Sequence, residues 1–156
     1  MYNGNWAYYL FEDNDGYLWI ASFLGGVFIV DKERLMKAPE GSYVADYHYS
    51  TDNGLPGMFV NQLIPDHEGN IWMLLYNKGM IKINIRTREI TRIPIDDIPD
   101  SESLNYILCD GSGVIGGGFR RGAMRFMPGS VKPDIVLLES FGQNKILLMI
   151  EVEQDI

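Results

Sequence analysis

Asp66-His-Glu-Gly69-Asn-Ile-Trp72 restates Asp13-Asn-Asp-Gly16-Tyr-Leu-Trp19. One shift of 53 positions (13 to 66) carries Asp13 onto Asp66, Gly16 onto Gly69, Trp19 onto Trp72 and Gly26 onto Gly79. A second shift of 44 (66 to 110) carries Asp66 onto Asp110 and Gly69 onto Gly113. In that third copy Gly79 matches Gly122 after a slip of one, and Trp72 falls opposite Gly116. Repetition at a period of tens of residues signals stacked or radial units, each too small to bury its own apolar face.

The units read as short strands. In the second, Asn61-Gln-Leu-Ile-Pro65 runs into Asp66-His-Glu-Gly69, then come Ile71 to Tyr76, the turn Asn77-Lys-Gly79, Met80 to Ile85, and Glu89 to Ile93. Alternation in Ile81-Lys-Ile83-Asn-Ile85 is the period-two pattern of a strand. Four such strands in about 45–50 residues predict a propeller blade. The only helical window is Asp31-Lys-Glu-Arg-Leu-Met-Lys37, two turns at most. An aspartate opening a tight turn bonds backbone N–H groups ahead of it, and glycine accepts the positive φ that such a turn needs. A large ring three residues later fills the space between blades. Asp13, Gly16, Trp19, Gly26, Asp66, Gly69, Trp72, Gly79, Asp110, Gly113 and Gly122 are therefore read as structural markers of the repeat.

Composition narrows the function. Hydrophobic residues make up 46% of the 156 and charged residues 22%, which excludes a disordered chain. A net charge of −8 disfavours nucleic acid and an anionic membrane surface as partners. The apolar run Ile146–Ile150 is too short to span a bilayer, and Met1–Trp6 has neither the basic nor the apolar stretch of a signal peptide. The single cysteine, Cys109, lies in Tyr106-Ile-Leu-Cys109 and is expected to be a small buried hydrophobe. With two histidines, His48 and His67, and one cysteine, neither a metal site nor a cofactor is expected. Gly116-Gly-Gly118 lacks the lysine and the helix of a phosphate loop, and is read as a bulge or bend in a strand.

Phe11-Glu-Asp-Asn-Asp-Gly16-Tyr-Leu-Trp-Ile20 with Gly25-Gly-Val27, the spacer Tyr49-Ser-Thr-Asp-Asn-Gly54-Leu-Pro56, and Val60-Asn61 leading to Leu63-Ile-Pro-Asp66 resemble the two-component regulator propeller repeat. That family occupies the periplasmic sensor regions of hybrid two-component systems of Bacteroides-type bacteria. The resemblance implies an all-β partial propeller over residues 1–129, with repeats near 7–50, 54–98 and 102–128. Lys132-Pro-Asp-Ile-Val-Leu-Leu-Glu-Ser-Phe141 and Gln143-Asn-Lys145 resemble the opening of the β-sandwich module that follows the last blade, so 130–156 is expected to start that module. Three blades do not close a ring. Their free faces are expected to meet other blades of a longer parent or a second copy of the chain.

The resemblance further implies a non-catalytic sensor fragment, periplasmic as part of a membrane-anchored histidine kinase, that takes part in oligosaccharide sensing and signal transduction. No kinase motif occurs in this chain. Loop tips on one face would bind the ligand, namely Phe23, Tyr76, Asn77, Lys78, Phe119, Arg120 and Arg121, together with the Gly54-Leu-Pro56 spacer. Aromatic and cationic tips can stack on sugars and pair with their anionic groups. Two other readings stay open. One is a glycan-cleaving enzyme of sialidase or lyase type, although the aspartate here precedes glycine by three positions where the sialidase Asp-box has two. The other is a protein-interaction propeller.

Overall fold

A computed structural model of the chain describes residues 6–93, 95, 104–119, 122–130 and 132–137. The described residues form three antiparallel sheets of four strands. Blade 1 holds β1 (Ala7–Glu12), β2 (Tyr17–Ser22), β3 (Gly26–Asp31) and β4 (Tyr47–Tyr49). Blade 2 holds β5 (Val60–Pro65), β6 (Asn70–Leu75), β7 (Gly79–Asn84) and β8 (Ile90–Ile93). Blade 3 holds β9 (Leu104–Cys109), β10 (Ile115–Phe119), β11 (Gly122–Phe126) and β12 (Asp134–Leu137). Within every sheet the strands lie in chain order, and successive blades meet along their first strands, β1 beside β5 and β5 beside β9.

The fourth strand of blade 3 moves a boundary. A division after residue 129 assigns Asp134–Leu137 to a following module, but these residues pair with β11 from Gly122↔Leu137 to Arg125↔Asp134. A blade edge left at β11 would expose a row of unpaired backbone groups, which β12 satisfies. The remainder of the proposed module, 138–156, lies outside the described residues. The greater length of the first repeat is explained by its β3–β4 connection, which contains α1 (Lys32–Lys37). Asp31 caps that helix, its Oδ1 accepting from the Arg34 N–H at 3.0 Å. No helix of the described residues is long and apolar enough to cross a membrane.

The three repeated turns share one construction. Asp13 Oδ1 accepts from the backbone N–H groups of Asp15 (3.0 Å) and Tyr17 (2.9 Å). Asp66 does the same with Glu68 (2.8 Å) and Asn70 (2.8 Å), and Asp110 with Ser112 (2.9 Å) and Val114 (2.9 Å). Gly16, Gly69 and Gly113 sit at φ 83°, 82° and 85°, the left-handed conformation the turn demands. The tryptophan has a role beyond filling space. The indole N–H of Trp19 donates to Asp13 Oδ2, and that of Trp72 to Asp66 Oδ2, both at 2.8 Å.

Each tryptophan faces the next blade. Trp19, Ala21, Val27, Ile29 and Tyr49 of blade 1 pack against Leu63, Ile71, Met73, Ile81 and Ile83 of blade 2. The opposite face of blade 2, with Ile64, Trp72, Leu74, Met80 and Ile93, packs against Ile107, Ile115, Phe119, Met124 and Phe126 of blade 3. All six residues of β6 are consequently buried. The outer face of blade 1 presents Leu10, Leu18, Ile20 and Phe28, which the 53-residue shift places opposite the fully covered Leu63, Ile71, Met73 and Ile81. Leu10 is 57% exposed there. On the outer face of blade 3, Gly116 occupies the register position of Trp72, each lying between the first and third strands of its sheet.

Asp66 couples this fold to pH. Burial alone would raise its carboxyl pKa, but donors from the Asn70 side chain and backbone, the Trp72 indole and the Glu68 backbone outweigh burial and hold it below the ordinary value. A carboxyl depressed in the folded state takes up its proton on unfolding. Its stabilisation is therefore complete above the ordinary carboxylate range of about 4 and is lost as pH falls through the depressed value. The thermal midpoint should stay level between about pH 7 and pH 5 and decline below about pH 4, with a shallower decline in Asp66→Asn. Identical pH profiles for the two proteins would show that other groups control acid unfolding.

Candidate functional site: an aromatic shelf on the loop face

The end of the blades opposite the aspartate turns is formed by the β2–β3 and β6–β7 turns, the entry to each first strand and the β4–β5 connection. Here the chain is built from repeat-equivalent hydrogen bonds. The Phe23 N–H donates to the Trp6 carbonyl and the Tyr76 N–H to the Phe59 carbonyl, both at 3.0 Å. These four residues are related in pairs by the 53-residue shift, and the two turns and the second strand entry bring the rings of Phe23, Tyr76 and Phe59 together.

Phe59 stands at its centre. Its ring centroid lies 4.4 Å from Phe23, 5.1 Å from Tyr76 in a stacked arrangement, and 5.6 Å from Tyr8 edge-on. Phe23 is 38% exposed, Tyr76 55% and Tyr8 58%, so the cluster is an open shelf and not a core. The shelf is tied to the neighbouring backbone. Gly26 (φ 74°) closes the β2–β3 turn and its N–H donates to the Met58 carbonyl at 2.9 Å, fixing the approach to Phe59. Lys78 packs over Gly57, and a Cβ at Gly57 would lie 3.1 Å from Lys78 Cγ. Asn77 adopts φ 52° at the turn, a left-handed conformation that asparagine tolerates.

The structure thus brings Phe23, Tyr76, Asn77 and Lys78 to one end of the molecule and adds Tyr8 and Phe59. Phe59 was legible in principle, since the shift that aligns Trp19 with Trp72 also aligns Trp6 with Phe59. Phe119 does not join them. It is the last residue of β10, pairs with Leu104 and Gly122, and is 5% exposed in the second core. Its pairing partner Gly122 matches Gly79, the partner of Leu75, so Phe119 corresponds to an inward-facing strand end and not to the tip residue Tyr76. Arg120 and Arg121 lie outside the described residues.

The other singled-out residues take structural positions. His48 stacks on Phe28 at 4.2 Å with its Nε2 2.5 Å from the Gly25 carbonyl, and the His67 ring packs beside Gly113. Cys109 is half-buried, not buried as expected: it lies on the face turned toward blade 2, opposite Ile115, but packs at the margin of that core as the last residue of β9; burial and the neighbouring Asp110 push its thiol pKa up, away from a reactive thiolate. Gly116–Gly118 pair regularly with β11, and the register shift falls opposite them on β9. These glycines leave room for neighbours, since a Cβ at Gly118 would lie 2.6 Å from the Tyr106 ring. A cleft of about 70 Å³ between blades 2 and 3 is lined by Asp66, His67, Glu68, Trp72, Lys82 and Ser112, but both Asp66 oxygens are already engaged in the turn. Among the described residues no three His, Cys, Asp or Glu side chains gather as metal ligands.

The family described as two component regulator propeller matches residues 1–23 and 54–77, covering the start of the first two units. The fold matches the crystal structure of the extracellular domain of BT4673 of B. thetaiotaomicron, assigned as a hybrid two-component system. The two are 49% identical with a TM-score of 0.80, over 90% of this chain and 19% of that one. A second structure of the BT4673 extracellular domain, assigned there as a one-component system, gives 48% identity and a TM-score of 0.80 over 89% of this chain and 18% of that one. The extracellular domain of the hybrid two-component system BT3049 of the same organism matches at 20% identity and TM-score 0.67, over 85% of this chain and 17% of that one, which speaks for the fold alone. This chain spans about one fifth of the length of these structures. No curated protein matches it. Repeat, blade architecture and similar structures agree: the chain carries repeats of the two-component regulator propeller type.

Proposed function

We propose that this chain is part of the extracellular, periplasmic sensor region of a hybrid two-component system and takes part in recognising an oligosaccharide on its loop face. The observation that carries the reading is the half-exposed shelf of Phe23, Phe59, Tyr76 and Tyr8. Aromatic faces carry the negative part of the ring quadrupole and attract the C–H-rich face of a sugar ring. Binding acts without turnover. The carboxyls held ionised at Asp66 and Asp110 are committed to backbone N–H groups in turns at the opposite end, so they do not supply a general acid at the shelf. Neighbouring blades of a longer parent cover the outer faces of blades 1 and 3. A ligand that binds one arrangement of propeller and following module better than another shifts the population toward it, which is how occupancy becomes a signal.

The test is an array of defined neutral, sulfated and uronic oligosaccharides probed with this chain. Phe23→Ala/Tyr76→Ala should reduce the signal at least tenfold, about 1.4 kcal/mol, while no oligosaccharide is consumed. Cleavage of an array oligosaccharide would move the reading to a glycan-cleaving enzyme. No signal on any of them would overturn it.

A further inference from the structure

Each first strand carries one extra residue at the same repeat position. In β1, Ala7 pairs with Ser22 and Tyr9 with Ala21, leaving Tyr8 over. In β5, Val60 pairs with Leu75 and Gln62 with Leu74, leaving Asn61. In β9, Leu104 pairs with Phe119 and Tyr106 with Gly118, leaving Asn105. The shifts of 53 and 44 that define the turns relate these three residues as well. A bulge repeated at one place in three blades is a built feature, and bulges re-aim side chains.

In an unbroken strand, side chains alternate between the two faces of a blade. An extra residue leaves that alternation, and on the innermost strand the open direction is the inner edge of the arc. Blade 2 shows this, because both its faces are covered and yet Asn61 remains half-exposed. Tyr8 and Asn105 are exposed. The three bulges form a row, one per blade. Gln62 ties the row together across β5 and β9, its carboxamide donating to the Ile107 carbonyl at 2.6 Å and accepting from the Ile107 N–H at 2.8 Å. Tyr8 joins the row to the shelf through its contact with Phe59. By contrast with Gln62, the carboxamides of Asn61 and Asn105 make no hydrogen bond within the described structure.

We infer that Asn61 and Asn105 are the polar, specificity-determining side of the shelf and that together they select a neutral, hydroxyl-rich sugar. The inference rests on the oligosaccharide reading above. A carboxamide offers a donor and an acceptor without charge, which matches a hydroxyl that is itself both. Asn61 and Asn105 supply no cation to an anionic group, and a chain of net charge −8 repels anionic sugars at a distance.

The experiment titrates this chain with matched neutral and sulfated oligosaccharides of one backbone, chosen from the array. Asn61→Ala and Asn105→Ala should each weaken binding of the neutral form at least tenfold without moving the thermal midpoint. Asn105→Asp, nearly isosteric but anionic and without the donor, should weaken it similarly. Unchanged affinity in the asparagine variants, with loss in Phe23→Ala/Tyr76→Ala, would overturn this inference and leave the shelf standing. Preference for the sulfated form would also overturn it. A chain that binds neither form removes both readings.

Discussion

Trp72→Ala is expected to destabilise the chain by about 3–5 kcal/mol, read from urea unfolding followed by circular dichroism. Trp72 is 5% exposed, its ring lies 5.4 Å from Phe126 of blade 3, and the Lys82 ammonium sits 5.5 Å over it. Truncation opens a cavity at the junction of two blades and removes the indole N–H from Asp66 Oδ2. Trp72→Phe separates the two effects. It restores most of the buried ring but not the donor, and should cost about 1.5–3 kcal/mol, the range for a hydrogen bond to a charged group. Equal losses in the two variants would show that the hydrogen bond, and not the packing, dominates. Blade 3 supports the packing argument, because the Asp110 turn forms with glycine at the tryptophan position.

Gly26→Ala should cost about 3 kcal/mol or more, while Gly16→Ala should cost only about 1–2 kcal/mol. Both glycines have positive φ, 74° and 83°, so both substitutions meet the left-handed penalty. They differ in what surrounds them. A Cβ at Gly26 would lie 2.2 Å from the Tyr49 carbonyl oxygen, whereas nothing lies within 4 Å of one at Gly16. Relieving the overlap must move the β2–β3 turn away from β4 and strain the Gly26 N–H to Met58 carbonyl bond. Because that turn carries Phe23, Gly26→Ala should weaken shelf binding as well, and Gly16→Ala should not. Similar unfolding midpoints for the two variants would refute the steric account.

Much of the fold is local in the sequence. The Asp-x-x-Gly turn is a contract among five consecutive residues, and its three copies formed as the side-chain chemistry requires. Alternation in Ile81-Lys-Ile83 and the two-turn helix after Asp31 are equally local. The candidate site was legible in half. Phe23 and Tyr76 follow directly from the repeat, but Phe119 was displaced by one position because the slip between Gly79 and Gly122 lies beside it. In a strand one position is the whole difference between a core face and a solvent face. Tyr8, Asn61 and Asn105 stayed hidden for a related reason: a bulge is a property of two paired strands, and neither strand displays it alone.

The sequence by itself determined the repeat and its propeller type, the turn chemistry, and the number of strands per blade through β11, since each is written in residues a few positions apart. Tertiary structure alone decided that Asp134–Leu137 completes blade 3, that Phe59 gathers three rings around itself, and that each tryptophan covers the blade after its own. Those outcomes depend on which surfaces meet across distances the chain does not encode locally. Burial of apolar faces between blades makes that choice, and the register of paired strands then sets which side chains are left facing solvent.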